Sequence, residues 1–381
     1  MLYYLSQYIL NAAQGTDWQD RLSGLRVVQY ITFRSAAAAV TALLLSWILG
    51  PRIINWLKRL KFGQDYQDKA EEGGSLVARV LSKKGTPTMG GILIVAVMDL
   101  TAVLWAQWNT LVQLTLLSVL VFAGLGFYDD YAKITKQTGA GAAAKIKLIV
   151  QGALALFIAL YLCWLPATRH LITDVMVPFY KYPVASSAVL GIIITMLTIV
   201  GSSNAVNLTD GLDGLAIGCT VIVSVVFLFV TYLSGNAVTA KYLAIPHVVG
   251  AGELTVFCAA MIGAGLGFLW FNCHPAKVFM GDTGSLALGG ALGIIAVLIH
   301  QPFLLVIAGG VFVAEAGSVL IQTTYFKYTR RKCGVGRRIF LMAPLHHHFE
   351  KKGWYESQVV TRFYILCILC AVVALSTLKI R

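Results

Sequence analysis

Ten predominantly apolar stretches, each about 20 residues long, recur along the 381-residue chain. An α-helix needs about that length to cross the hydrocarbon of a bilayer. Hydrophobic residues make up 58% of the chain and charged residues 12%, far below the charged fraction of a soluble domain. The sequence therefore predicts an all-α, polytopic integral membrane protein rather than a soluble, disordered or disulfide-rich one. The predicted spans are 29–50, 88–107, 111–128, 146–165, 184–203, 213–233, 248–270, 285–300, 303–326 and 358–378.

We expect one integral membrane domain over residues 1–381, preceded by an aromatic segment at about 1–25 that lies at the membrane interface. The Gly309-Gly310 pair inside the ninth span predicts a bend or a break there. The connecting loops predicted on one membrane face are 51–87, 129–147, 204–212, 271–284 and 327–357.

Most of the 30 Lys and Arg residues fall in those five loops. Because loops rich in Lys and Arg stay on the cytoplasmic side, we expect this face to be cytoplasmic and both termini to be periplasmic. The net charge of +13 then reflects contact with anionic headgroups. The expected partner is a lipid bilayer, and nucleic acid is not expected.

Five of the 17 acidic residues fall at span ends on that face. Asp129 and Asp130 end the third span, Asp210 and Asp213 follow the fifth, and Asp282 follows the seventh. Clustered carboxylates repel one another, and a divalent cation relieves that repulsion. Since the ligands offered are oxygens without a Cys or His cluster, Mg²⁺ is the expected ion.

Glycines flank these carboxylates, and their exposed backbone N–H groups predict a place for a phosphate. The flanking glycines are Gly211, Gly214, Gly281 and Gly284. Two alternatives stay open: solvated Asp-Gly turns, and a proton relay, whose carboxylates usually lie within the spans. Of the embedded acids, Asp99 has no assigned role, and Glu315 is expected to pack between helices or line a groove.

Three cationic or polar segments share the predicted face. Lys84 and Thr88, just before the second span, combine a cation and a hydroxyl with flexible glycines but lack the order of a P-loop. Lys133 follows the Asp pair by one helical turn and should share its face. The consecutive histidines at 346–348 point in different directions, which argues against a three-His zinc site and favours phosphate contact or proton transfer by one or two of them. A solvated polar loop is the alternative.

Five motifs together resemble the polyprenyl-phosphate N-acetylhexosamine-1-phosphate transferases. They are Lys-Lys-Gly-Thr-Pro-Thr-Met-Gly-Gly, Asp-Asp-Tyr-Ala-Lys, Asn-Leu-Thr-Asp-Gly-Leu-Asp-Gly, Val-Phe-Met-Gly-Asp-Thr-Gly-Ser and Pro-Leu-His-His-His-Phe-Glu. The first and last are similar to the phospho-N-acetylmuramoyl-pentapeptide translocase branch. This resemblance implies transfer of phospho-MurNAc-pentapeptide from UDP-MurNAc-pentapeptide to undecaprenyl phosphate, giving lipid I and UMP. It also implies Mg²⁺ dependence, ten transmembrane helices and a homodimer in the bacterial inner membrane.

The resemblance also assigns roles by motif. Asp282 would bind Mg²⁺, Asp129 would act as base with Asp130 supporting it, Lys133 and Lys145 would bind phosphate, and His346 would hold the diphosphate or the sugar. Asp210, Asp213, Asn272 and Phe279 would form the nucleotide pocket, with Phe279 stacked on uracil. The remaining substrate-binding candidates are Lys84, Thr88, Asn207, His347 and His348.

Three questions remain open at this level. A sister transferase of GlcNAc-1-phosphate would keep the acidic loops but should differ in the histidine segment. An ion-coupled transporter would predict inverted repeats and ionisable residues near the bilayer midplane. Direct attack by the lipid phosphate is the preferred route, and a two-step route through a phospho-aspartate at Asp129 is the alternative.

Overall fold

The computed structural model describes residues 1–15, 18–60, 85–136 and 143–379, and their regular structure is almost entirely helical. The helices are α1 (Leu2–Ala12), α2 (Trp18–Arg21), α3 (Ile31–Arg59), α4 (Gly91–Trp105), α5 (Thr110–Lys136), α6 (Ala144–Trp164), α7 (His170–Thr173), α8 (Ala188–Thr209), α9 (Leu215–Gly235), α10 (Ala237–Leu243), α11 (Gly252–Asn272), α12 (Gly281–Leu298), α13 (Pro302–Ala308), α14 (Gly310–Cys333), α15 (Leu345–Lys351) and α16 (Glu356–Ser376). A 3-10 helix covers Ser23–Gln29, and strands β1 (Asp174–Val175) and β2 (Ala185–Ser186) pair antiparallel.

Within the described ranges, eight helices are long and apolar enough to cross a membrane. They are α3, α5, α6, α8, α9, α11, α12 and α16. Helices α13 and α14 are together long and apolar enough for a ninth span, with a bend of 85° at the predicted glycine pair, and α4 is a shorter apolar helix of 15 residues. The ten predicted spans coincide with these ten segments. The chain is an all-α, multi-pass membrane protein.

Helices extend into each of the five predicted loops, so part of each loop is helical. Helix α3 reaches Arg59, α5 reaches Lys136, α8 reaches Thr209, α12 begins at Gly281 and α14 reaches Cys333. Hydropathy places the end of a span at its first polar residues. An α-helix can continue past them where their side chains have hydrogen-bond partners. In the last turns of α8, the amides of Asn204 and Asn207 donate to Gln151 and Ser285 at 2.7 and 2.8 Å.

Helix α12 lies inside the bundle, and all of its residues from Thr283 to Leu298 are buried. Its glycines allow the neighbouring helices to come close, as small residues do in membrane bundles. A Cβ added to Gly290 would lie 2.3 Å from the Phe122 ring on α5, and one added to Gly293 would lie 2.2 Å from the Ser202 hydroxyl on α8. The middle of α12 is therefore held in place by close packing on two sides.

A buried ion pair joins α3 and α11 at the end of the bundle opposite the start of α12. Arg34 donates to both carboxylate oxygens of Glu253 at 2.5 and 2.7 Å. Glu253 also accepts the backbone N–H of Gln107 at 2.7 Å. The ammonium group of Met1 donates to the carbonyl of Val103 at 2.9 Å, which fixes the N-terminus at this same end.

Replacing one member of this ion pair should destabilise the protein more than replacing both. Arg34→Met and Glu253→Leu are each expected to lower the free energy of unfolding by about 3 kcal/mol, because each leaves one charge buried and unpaired. The Arg34→Met/Glu253→Leu double variant should be more stable than either single variant. Thermal unfolding of detergent-solubilised protein measures the difference. Single variants that unfold at the wild-type temperature would contradict a structural role for the pair.

Candidate active site

Three carboxylates from two helices meet at one end of the bundle. Asp129 and Asp130 lie on the last turns of α5, and Asp282 is the second residue of α12. One oxygen of each lies within 4.8 Å of the others. Asp129 and Asp130 are buried, whereas the Asp282 side chain is 15% exposed and so can be reached from outside. Carboxylate oxygens gathered this closely could hold a metal ion.

Two lysines bridge these carboxylates. The Nζ atom of Lys133 lies 2.6 Å from Asp129 and 3.1 Å from Asp282. The Nζ atom of Lys147 lies 2.8 Å from Asp129 and 2.6 Å from Asp282. The predicted pairing of Lys133 with the Asp pair, one helical turn away, is confirmed. Because three carboxylates face two ammonium groups, the cluster keeps negative charge that attracts a further cation.

The resemblance assigned phosphate binding to Lys145 and gave no role to Lys147. Lys145 is exposed on the first turn of α6, and among the described residues it has no ion pair. Residues two apart on a helix lie on nearly opposite faces, so only one of these lysines can face the cluster. Gln151, one turn after Lys147, is buried against Asn204 and marks the inward face of α6. That i, i+4 relation was the signal that could have identified Lys147.

Asp130 caps the N-terminus of α12. Its carboxylate accepts the backbone N–H groups of Asp282 and Thr283 at 3.1 and 3.0 Å, and the Thr283 hydroxyl at 2.8 Å. A carboxylate there satisfies unpaired N–H groups and complements the helix dipole. The backbone N–H of Gly281 lies close enough to Asp210 to favour its charged form. Of the glycine N–H groups expected to suit a phosphate, that of Gly211 donates to the Thr209 carbonyl and that of Gly214 donates to Asn272.

Two motifs that are far apart in sequence are joined by backbone hydrogen bonds at the starts of α4 and α12. The N–H of Gly90 donates to the carbonyl of Phe279, and the N–H of Phe279 donates to the carbonyl of Pro87, both at 2.8 Å. Thr88 is buried between these bonds, and Phe279 is half-buried. Lys84, the other candidate of this motif, lies outside the described residues.

The loop between α8 and α9 is tied to three other elements. Asp213 accepts from His274 Nδ1 at 3.1 Å, and its own N–H donates to Glu356, at the start of α16, at 2.9 Å. Asn272, at the end of α11, accepts the N–H of Gly214 at 3.1 Å. Asp213, His274 and Glu356 form a second group whose ligand atoms could hold a metal ion.

Asp210 connects this loop to the first carboxylate cluster. Burial raises the pKa of Asp210 to about 8, together with the charges of Asp282 and Asp130, although the N–H of Gly281 opposes the shift. Near neutral pH this carboxyl group can therefore donate as well as accept a hydrogen bond. Asn207, one turn earlier, faces α12 through Ser285 rather than a solvent-filled loop.

Two of the three histidines face partners of their own on or beside α15. His347 Nδ1 lies 2.7 Å from a Glu350 oxygen one turn away. His348 Nδ1 accepts the backbone N–H of Leu341 at 3.1 Å, and burial, with the Lys352 charge, lowers the pKa of His348.

His346 is the buried member of the three, with 1% of its surface exposed. Its Nδ1 atom lies 3.2 Å from a carboxylate oxygen of Glu315 on α14. Sequence analysis assigned Glu315 only a packing or groove position. An unpaired carboxylate in an apolar span is costly, so Glu315 requires a donor from elsewhere in the chain. That requirement could have predicted such a contact from the sequence.

Comparisons with known proteins agree with this geometry. Residues 112–300 match the family model described as glycosyl transferase family 4, and residues 83–95 match phospho-N-acetylmuramoyl-pentapeptide-transferase signature 1. The chain is 48% identical to a protein of Methylacidiphilum infernorum over 100% of both chains. It is 49% identical to one of Opitutus terrae over 96% of this chain and 98% of that one, and 50% identical to one of Desulfotalea psychrophila over 94% and 96%. All three carry the name phospho-N-acetylmuramoyl-pentapeptide-transferase. This chain belongs to the phospho-N-acetylmuramoyl-pentapeptide-transferase family.

Proposed function

We propose that the chain transfers phospho-MurNAc-pentapeptide from UDP-MurNAc-pentapeptide to undecaprenyl phosphate, forming lipid I and UMP. The proposed location is the cytoplasmic face of the bacterial inner membrane, where the basic loops lie. The meeting of Asp129 and Asp282 with Lys133 and Lys147 carries the proposal. Such a cluster at the end of a membrane bundle lets a water-soluble diphosphate donor meet the headgroup of a lipid acceptor.

The donor set fits Mg²⁺, which prefers carboxylate oxygens and keeps positions open for substrate phosphates. Asp282, the most exposed of the three, is the proposed ligand, with Asp129 beside it. When bound, the ion would neutralise the donor diphosphate and stabilise the charge that develops on UMP. Asp130 is proposed to hold Asp282 in place, because it caps the helix that carries Asp282.

In the proposed reaction, an oxygen of the lipid phosphate attacks the phosphorus next to the sugar. The bond from that phosphorus to the UMP oxygen breaks, UMP takes the electron pair, and the lipid becomes joined to the sugar through a diphosphate. Lys133 and Lys147 would bind the phosphates and stabilise their charge. Asp129 is better placed than Asp130 to accept the lipid phosphate's proton, since Asp130 already accepts three hydrogen bonds from α12.

The nucleotide is proposed to bind beside the loop between α8 and α9. Asp213 and Asn272 hold that loop against the segment after α11, and Asp210 links it to α12. Phe279 lies in the adjoining segment, half-buried, where its ring could stack on the uracil. Thr88 adjoins the same segment, so its motif would lie beside the bound donor.

The first test measures UMP release by purified protein in detergent with UDP-MurNAc-pentapeptide, undecaprenyl phosphate and Mg²⁺. We expect release that requires the lipid acceptor and is lost in Asp282→Asn. UDP-GlcNAc should not replace the donor. Turnover with UDP-GlcNAc would keep the chemistry but contradict the donor assignment. If neither donor reacts in folded, lipid-supplemented protein, the transferase proposal fails.

The two lysines of α6 provide a matched comparison. Lys147→Met should lower kcat at least tenfold, because it removes an ammonium group that contacts both Asp129 and Asp282. Lys145→Met removes the same charge from an exposed position two residues away and should change kcat less than twofold. The reverse order would show that the sequence-based choice of Lys145 was the better one.

Two glycines of α5 test how closely Asp282 must be held. A Cβ on Gly126 would lie 2.2 Å from the backbone oxygen of Asp282, so Gly126→Ala should displace the start of α12. We expect kcat to fall by about 100-fold, the effect of roughly 1 Å of misplacement. Gly124→Ala adds the same methyl group where, among the described residues, no atom beyond the backbone of its own helix lies within 4 Å. It is the control and should behave as wild type. Equal activities would contradict the positioning argument.

A further inference from the structure

Glu315 and His346 form a buried pair that has no part in the proposed chemistry so far. Glu315 is fully buried on α14, and His346 is the second residue of the short helix α15, with 1% exposure. One Glu315 oxygen accepts the backbone N–H of His346 at 3.2 Å, and the other lies 3.2 Å from the ring Nδ1. Among the described residues, Glu315 has no other ion-pair partner.

This contact defines how the imidazole is oriented. His346 Nδ1 and the nearer Glu315 oxygen are in close contact at 3.2 Å, although their geometry is not that of a hydrogen bond. Two acceptors this close would repel each other, so the proton of the ring belongs on Nδ1. The opposite nitrogen, Nε2, then points away from Glu315. Within the described structure, Nε2, Nδ1 and the Glu315 oxygen nearest to Nδ1 are all buried without a hydrogen-bond partner.

The Nε2 side of the ring lies against the loop between α8 and α9. A Cβ added to Gly211 would lie 2.2 Å from His346 Nε2 and 2.9 Å from the adjacent ring carbon. The imidazole therefore occupies the space that any other side chain would need at this position. Asp210 and Asp213, on either side of Gly211, are the carboxylates proposed to serve the nucleotide site.

We propose that Glu315 is a positioning residue for this loop, acting through the imidazole of His346. Glu315 fixes the ring, and the ring fixes the backbone at Gly211, which sets where Asp210 and Asp213 stand. His346 then contributes to the nucleotide site by packing against the backbone of the loop, and it does not contact the diphosphate. The inference rests on the proposed function, because it assumes that this loop binds the nucleotide.

The test uses UMP as the probe and measures its binding by calorimetry in detergent, without the lipid acceptor. Glu315→Gln keeps an oxygen for the backbone N–H of His346 but replaces the partner of Nδ1. We expect it to weaken UMP binding about tenfold. Ser318→Ala is the control and should bind UMP as wild type does. Ser318 is buried one turn from Glu315, and among the described residues its hydroxyl donates only to the carbonyl of Glu315.

Kinetics separate positioning from a general defect. Glu315→Gln should raise KM for the UDP-linked donor about tenfold and leave KM for undecaprenyl phosphate unchanged. Gly211→Ala gives an independent route to the same displacement if Glu315→Gln unfolds. Gly201→Ala, on α8, is its control, because among the described residues no atom beyond the backbone of that helix would lie within 4 Å of the added methyl group. In the Glu315→Gln/Gly211→Ala double variant, the increase in KM for the donor should be smaller than the product of the two single-variant increases, because both substitutions act on one contact.

The outcomes separate the two proposals. If wild-type protein neither binds UMP nor turns over, the proposed function fails. If wild-type protein is active but Glu315→Gln binds UMP like Ser318→Ala, or raises both KM values equally, the positioning role is overturned. Fully multiplicative effects in the double variant would also overturn it, since Glu315 and Gly211 would then act independently.

Discussion

The mutual repulsion of three carboxylates at one end of a membrane bundle is the constraint around which this structure is organised. Asp129, Asp130 and Asp282 would raise one another's pKa values if nothing offset their charges. The structure offsets them in two different ways. Lys133 and Lys147 lie against two of the carboxylates, and the N-terminus of α12 takes the third. The remaining negative charge is what makes the cluster suited to a divalent cation and a polyphosphate substrate.

Helix α12 carries that arrangement because it is enclosed by its neighbours. A helix surrounded by protein needs small residues where its neighbours approach, and Gly290 and Gly293 provide them. The same close approach holds the first turn, where Gly126 packs against the backbone of Asp282. Packing in the apolar interior and chemistry at its polar end therefore depend on the same helix.

The apolar periodicity predicted most of the fold, because a helix that crosses a bilayer needs a long apolar run whatever its neighbours are. It located all ten segments and the break before α14. It missed the helix ends, since Asn204 and Asn207 are polar yet helical through their contacts with α6 and α12. Whether a polar residue continues a helix depends on partners that are distant in sequence.

The candidate site was predicted in part for a similar reason. Residues linked by local spacing were found, as with Lys133 one turn after Asp129. Contacts between distant elements were not: Lys147 was passed over, the cap formed by Asp130 was not foreseen, and Glu315 was not matched with His346. Motifs identify which residues take part, whereas three-dimensional packing decides which atoms meet.

The most direct test of the central claim is Mn²⁺ binding, measured by electron paramagnetic resonance on detergent-solubilised protein. Mn²⁺ takes the same oxygen ligands as Mg²⁺ and is visible to the method. If the metal is held between α5 and α12, one tightly bound ion should be lost in Asp282→Asn and kept in His274→Ala. Loss of the ion in His274→Ala with binding retained in Asp282→Asn would place the metal at the second group, with Asp213 and Glu356, and contradict the account.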